Sequence, residues 1–277
     1  MYIIIPNTGY IFGNANSLFS SENFCTIIST SLEFFLNYKK NQPVMDHVLV
    51  LFKNTFFPYI ALDLLKYLPH ESEFIPWESG LNALDFLYTR FQTNETKLNS
   101  LEHFIMDMLE NRYESLGFKS NSNDDYMTIL SRNSISSWMC KVNFTNCVKN
   151  ALDLFQKWVE NDDNQESISA NIKDVVYNTA IRFGPSTYWE FMFDKFNSSN
   201  IIDSERLKYI YAMAATENAT IIQHYLNLAV DRMNPGNPIR TQDCIYIFRT
   251  ISHTRSVGSL LSENKKNIPN NVILLKF

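Results

Sequence analysis

Glycine is scarce in this chain, at 7 of 277 residues, against about 7% in an average protein. Phosphate-cradling loops and doubly wound sheets need glycine where the backbone turns sharply or approaches a ligand. Neither G-x-G-x-x-G nor G-x-x-x-x-G-K-[ST] occurs, which argues against a nucleotide enzyme. Cationic charge is also short: 24 Lys and Arg face 29 Asp and Glu, for a net charge of −5. The longest basic runs are the pairs Lys39-Lys40 and Lys265-Lys266, so the electrostatic footprint of a nucleic-acid binder is missing. There is no run of 18 apolar residues to span a membrane. The opening MYIIIPNTGY lacks a positive n-region and the closing NVILLKF is too short for a lipid-anchor tail, so neither end reads as a targeting signal or anchor, and the compartment stays open.

What is present is apolar and aromatic. Hydrophobic residues make up 45% and charged residues 19%, with 21 Phe and 14 Tyr, a globular rather than disordered composition. A chain of this length buries about 75% of its unfolded surface and needs no metal or disulfide to fold. From about residue 22 the apolar spacing is helical. Leu152, Phe155, Trp158 and Val159 share one stripe, and Ile221, Tyr225, Leu228 and Ala229 share another. Pro58, Pro76, Gly184-Pro185, Asp203-Ser204 and Asn237-Pro238 each read as a helix start, with a capping residue or a proline in the first turn. Short connections make successive helices antiparallel neighbours. The expectation is an all-α chain, an α-solenoid of antiparallel helix pairs of the HEAT-like kind; an irregular helical bundle is the alternative, because no repeat of fixed period is visible. Only the first residues differ: Tyr2-Ile3-Ile4-Ile5 and Tyr10-Ile11-Phe12 are β-prone runs around Pro6 and Gly9.

The search for catalytic groups finds little. A zinc-peptidase helix needs H-E-x-x-H, because an i, i+4 pair puts both imidazoles on one face. The nearest match, His70-Glu71-Ser72-Glu73-Phe74, has Phe in the second ligand position. His47, His103, His224 and His253 are isolated, and no G-x-S-x-G occurs. Cys140 and Cys147 stand seven apart. On one continuous helix their Cα atoms would be about 10 Å apart, beyond the roughly 7 Å that a disulfide spans. Spacing alone therefore leaves them as two separate thiols, or bridged across a turn that Asn143 and Asn146 supply. Four N-x-[ST] sequons, candidate glycosylation sites, start at Asn94, Asn143, Asn197 and Asn218. With 31 Asn and 41 Ser plus Thr in 277 residues, chance yields about 4.6, so their number says nothing about secretion.

Several segments together resemble the C-terminal helical domain of the aminopeptidase N type of zinc aminopeptidases, the domain also named for the endoplasmic-reticulum aminopeptidases. They are Ala61-Leu-Asp-Leu-Leu-Lys-Tyr-Leu68 with Glu71 and Ile75-Pro-Trp-Glu78; Trp138, Cys140 and Cys147 leading to Phe155-Gln-Lys-Trp158; Val175-Val176-Tyr177 with Tyr188-Trp189-Glu190; Ser204-Glu205, Ala212 and Asn227; and Ile239-Arg-Thr-Gln-Asp243. Thr8-Gly9-Tyr10 with Asn14 is similar to the strand that ends that family's small β-sandwich. The resemblance spans about residues 8–264. It implies a Cys140–Cys147 disulfide, with Cys25 and Cys244 outside it, and lacks a second family pair at Asn178 and Ala215. The chain departs from the family at Lys40-Asn-Gln42-Pro-Val-Met45-Asp46 and in the final helices expected after Asn264.

The resemblance sets the functional expectation. Residues 1–20 read as the remnant of a β-sandwich edge, and residues 21–277 as the helical domain, shortened at its C-terminal end. The family's zinc helix and its G-A-M-E-N loop belong to an upstream catalytic domain; Thr216-Glu217-Asn218 ends like that loop only by coincidence. The chain is expected to hold no cofactor of its own, zinc being that of the full-length family, and to be inactive alone. It reads as a non-catalytic part of a zinc metallo-aminopeptidase, a fragment or shortened paralogue that encloses the peptide cavity and controls substrate access. The alternative is a free-standing helical interaction module derived from such an enzyme. Expected partners are peptides or an aminopeptidase catalytic domain, with no nucleic acid and no membrane span in this chain; the parent family is secreted or membrane-tethered. Arg240, Gln242 and Asp243 are the candidate peptide-binding residues. They are placed in the first turns of a helix begun by Asn237-Pro238, with Arg240 either paired to Asp243 or lining a concave face where its guanidinium holds a peptide carboxylate.

Overall fold

The computed structural model describes residues 3–4, 11–12, 62–63, 65–92, 94–161, 168–198, 203–231 and 236–252. Cys25, His47, Pro58, His253, the 40–46 and 8–10 segments, Asn14 and everything past residue 252 lie outside the described residues. Two short strands, β1 (Ile3–Ile4) and β2 (Ile11–Phe12), pair antiparallel, with Ile3 opposite Phe12 and Ile4 opposite Ile11.

Among the described residues the other regular elements are all helices. The nine α-helices are α1 (Phe74–Phe91), α2 (Glu95–Leu116), α3 (Tyr126–Lys141), α4 (Thr145–Glu160), α5 (Lys173–Phe183), α6 (Ser186–Phe196), α7 (Asp203–Met213), α8 (Ala219–Val230) and α9 (Cys244–Ser252). Short 3-10 turns at Leu68–His70, Ala170–Ile172 and Thr241–Asp243 precede α1, α5 and α9. The caps explain several boundaries. The carboxamide oxygens of Asn94 and Asn218 accept backbone N–H groups at the starts of α2 and α8, as the Asp125 carboxylate does at α3. At Gly184 a Cβ would meet the Ala180 carbonyl oxygen at 2.4 Å, so the tight α5–α6 corner requires glycine. One expected start is corrected: Asn237-Pro238 opens no helix. The Asn237 amide instead donates to the carbonyls of Leu228 and Asp231 at the end of α8, both at 2.7 Å, and the α-helix begins only at Cys244.

Each helix packs on its sequence neighbours from α1 to α7, and α8 packs on α9. The odd-numbered helices also pack on one another in order, α1 on α3, α3 on α5, α5 on α7 and α7 on α9. They make a continuous row, with the even-numbered helices against its other side. Because successive helices alternate in direction, the α1–α2, α3–α4, α5–α6 and α7–α8 connections share one edge of the row. The core runs between the two sets. Trp77, Trp138, Phe155, Trp158, Tyr177 and Trp189 are buried. At its centre Trp158 of α4 stacks on Tyr177 of α5 at 5.2 Å, meets Phe191 of α6 edge-on at 4.9 Å and approaches Tyr209 of α7 at 6.3 Å. One ring thus ties four helices together, and aromatic burial contributes most of their cohesion.

Candidate functional site

A cation in the last turn of a helix is stabilised by the exposed carbonyls there, and both α3 and α5 end this way, with Lys141 and Arg182. Because α3 and α5 lie side by side with the same polarity, the two cations fall close together. Arg182 donates from Nη1 to the Lys141 carbonyl oxygen at 2.7 Å and from Nε to Glu217 of the α7–α8 connection at 2.8 Å. Lys141 donates to Asp85 of α1 at 2.7 Å, and its ammonium lies 4.4 Å from the ring centroids of both Tyr88 and Trp138. Burial lowers the Lys141 pKa, with Asp85 acting against that shift. The Tyr88 hydroxyl donates to Glu102 of α2 at 2.9 Å. Its pKa is pushed up to about 12, first by burial, with the Glu102 carboxylate adding and Arg182 opposing.

Similar polar links join each odd helix to the next. Ser134 of α3 donates to Glu78 of α1 at 2.7 Å. Lys173 of α5 reaches Glu205 of α7 at 3.5 Å, and Lys208 reaches the same carboxylate at 3.3 Å. Between α7 and the α9 region, Arg206 faces Asp243 at 3.5 Å and Arg240 faces Asp203 at 2.9 Å. Beside this ladder, Glu95, Asn99, Glu102, Asn143, Arg182 and Glu217 line a groove of about 430 Å³ on the hairpin-loop edge.

The structure does not bring Arg240, Gln242 and Asp243 together. Arg240 is exposed, lies before the 3-10 turn and pairs with Asp203; the expected Arg240–Asp243 pair is therefore corrected. Gln242 is exposed as well. Asp243 is buried against Arg206, whose guanidinium also donates to the Pro238 carbonyl and lies 4.2 Å from the Phe196 ring centroid. Arg240 stands before the turn in extended backbone (φ −69°, ψ 145°), outside the helical path that carries Asp243, so the two side chains leave the chain in different directions. Cys140 and Cys147 are bridged, their Cα atoms 5.1 Å apart across the three-residue α3–α4 turn. Asn143 sits in that turn at φ 63°, a left-handed conformation that asparagine tolerates better than most residues. The Cys244 thiol is buried and donates to the Ala229 carbonyl at 2.8 Å. Asn94, Asn143, Asn197 and Asn218 are all exposed.

No zinc site can be assembled from the His70 segment. His70 is exposed at the end of a 3-10 turn, and Glu71 begins an extended stretch that lasts to Glu73. Among the described residues no three His, Cys, Asp or Glu side chains converge as metal ligands, and no helix is long and apolar enough to cross a membrane. Lys141, Arg182, Tyr88 and Asp85 escaped the sequence reading. Their available signal was the last-turn cation ahead of a helix break.

The family described as "ERAP1-like C-terminal domain" matches residues 57–269. Glutamyl aminopeptidase of Sus scrofa is 28% identical over 205 residues, which is 74% of this chain and 21% of that protein. The Homo sapiens glutamyl aminopeptidase is 27% identical over 206 residues, 74% of this chain and 20% of that protein. Membrane alanyl aminopeptidase of Manduca sexta is 24% identical over 225 residues, 81% of this chain and 21% of that protein. The chain thus spans about a fifth of these relatives' length. With a match over most of its length and an all-helical body of the expected kind, the chain belongs to the ERAP1-like C-terminal domain family, the non-catalytic helical domain of aminopeptidases.

Proposed function

We propose that this domain walls the peptide cavity of a zinc aminopeptidase and limits which peptides reach the catalytic centre, taking no part in the chemistry itself. The observation that carries this reading is the continuous row α1, α3, α5, α7 and α9, whose neighbours are cross-linked by charged and polar side chains. Such stacking of helix pairs is what a HEAT-like superhelix requires, and a superhelix presents one broad curved face to a ligand. Arg240 and Gln242, both exposed, extend this row at its α9 end, where a guanidinium can take a peptide carboxylate in a bidentate fork. Asp243 serves as a positioning residue for that segment. The β1–β2 pair fits the edge of a small β-sandwich in residues 1–20, ahead of a helical domain over residues 21–277.

Zinc would be held by the catalytic domain, where it activates water; the only H-E-x-x-H-like segment here lacks the second histidine and the helix. The test is to co-express this chain with the catalytic part of a glutamyl aminopeptidase shorn of its own C-terminal domain, and to follow hydrolysis of short and long peptides. Co-purification with a changed ratio of long- to short-peptide turnover is expected. Zinc-dependent turnover of an aminoacyl-anilide by the isolated chain would overturn the non-catalytic reading. Absence of both co-purification and any effect on turnover would favour a free-standing interaction module.

A further inference from the structure

We propose that the groove of about 430 Å³ on the hairpin-loop edge is a binding site for an arginine side chain presented by a partner peptide or protein. Its volume lies within the range of about 300–1,000 Å³ usual for ligand pockets, and a single long side chain fits it. Two elements supply carboxylates to the lining, Glu95 and Glu102 from α2 and Glu217 from the α7–α8 connection. Met106, Val142 and Phe183 add apolar surface. Arginine matches that mixture, with methylenes to lie on apolar side chains and a planar fork of donors for carboxylates. Three carboxylates against the one guanidinium of Arg182 make the lining net negative.

Acidic side chains on a helix are ordinarily just solvated surface, and two further observations set these apart. The first is that the site already seats one guanidinium. Arg182, with a side chain only 15% exposed, is bonded to Glu217 and to the Lys141 carbonyl that closes α3, so this wall takes arginine chemistry within the chain itself. Glu102 is likewise held in place, by the hydroxyl of the buried Tyr88 at 2.9 Å. A carboxylate accepts up to about four hydrogen bonds, so one such bond does not exhaust it. The second observation is that the nearby cations are committed elsewhere. Lys97 of α2 lies over the Phe91 ring at 5.8 Å, and Arg112 of α2 donates to the Ser72 carbonyl at 2.7 Å. Lys141 is bonded to Asp85. No lysine or arginine stands three or four positions from Glu95 or Glu102, where a helix would let it pair with them. An incoming guanidinium in this partly desolvated hollow gains charge-assisted, bidentate bonds that open solvent would weaken. The site does not depend on the peptide-cavity reading and is measured separately from it.

The test titrates the full chain with two blocked alanine peptides, one with a central arginine and one with citrulline, which keeps the shape and removes the charge. Isothermal titration calorimetry gives the affinities, and amide chemical shifts locate the site. The arginine peptide is expected to bind severalfold more tightly than the citrulline peptide, with shifts centred on Asn99, His103 and Asn143. Added salt should weaken it. Glu95→Gln and the double change Glu95→Gln with Glu102→Gln remove charge and keep volume; each should weaken arginine binding severalfold and leave citrulline binding unchanged. Glu95 is exposed, so its single variant carries the test even if the double variant folds less stably. Equal binding of the two peptides would overturn the proposal. So would absence of binding at millimolar peptide, an arginine affinity untouched by Glu95→Gln, or shifts centred on another acidic stretch such as Glu110 and Glu114.

Discussion

Asp243 and Arg240 stand three residues apart in one family-like segment, yet their replacement should differ severalfold in effect. Asp243 and Arg206 form a buried pair at 3.5 Å, with side chains 6% and 11% exposed. Asp243→Ala removes the countercharge and strands a buried guanidinium, a change that typically costs about 3–5 kcal/mol. The lower end is favoured because Arg206 keeps the Pro238 carbonyl and its place over the Phe196 ring. For a chain of this size each kcal/mol moves the midpoint by about 2–4 °C, so Tm should fall by roughly 6–20 °C. Arg240 and Asp203 pair at 2.9 Å, but with side chains 48% and 79% exposed. Solvent screening leaves such a pair about 0–1 kcal/mol, and Arg240→Ala should barely move Tm. The double change Arg206→Met with Asp243→Leu should recover most of the loss, since apolar groups of similar volume often match a buried pair. Urea unfolding followed by far-ultraviolet circular dichroism measures all four proteins. The reasoning fails if Asp243→Ala stays within about 0.5 kcal/mol of the parent, or if Arg240→Ala costs as much.

Three further expectations follow from the core and its turns. Trp158→Ala should cost about 3–5 kcal/mol by urea unfolding, because the ring is 1% exposed and packs on three other helices; a loss below about 1 kcal/mol would contradict that burial. Reducing the Cys140–Cys147 bridge should cost only about 2–3 kcal/mol, the loop being short, and faster amide exchange should be confined to the α3–α4 turn rather than spread across the chain. The Tyr88 pKa, raised from 10.0 to about 12, means that the folded state holds this proton more tightly than the unfolded chain. Its contribution is complete below pH 10 and falls away between pH 10 and about 12. Tyr88→Phe should flatten that part of the stability-versus-pH curve, and an unchanged slope would argue against the burial.

Much of this molecule was legible in one dimension because its determinants are local. The 3.6-residue stripe through Leu152, Phe155, Trp158 and Val159 fixes both the existence of α4 and the face it buries. Helix ends at Asn94, Asp125, Gly184 and Asn218 follow from side chains and close approaches within a few residues of one another. Order in the chain, with short connections, dictates that neighbours run antiparallel. Tertiary structure alone decided what meets across helices. Asp243, the last residue of a 3-10 turn, is buried against Arg206, 37 positions earlier, while Arg240, in extended backbone before that turn, meets Asp203. Lys141 and Arg182 become neighbours only because α3 and α5 stack with their C-terminal ends level. Periodicity records which face of a helix is apolar, but not the register or angle at which two helices pack. The ion-pair ladder depends on both of these.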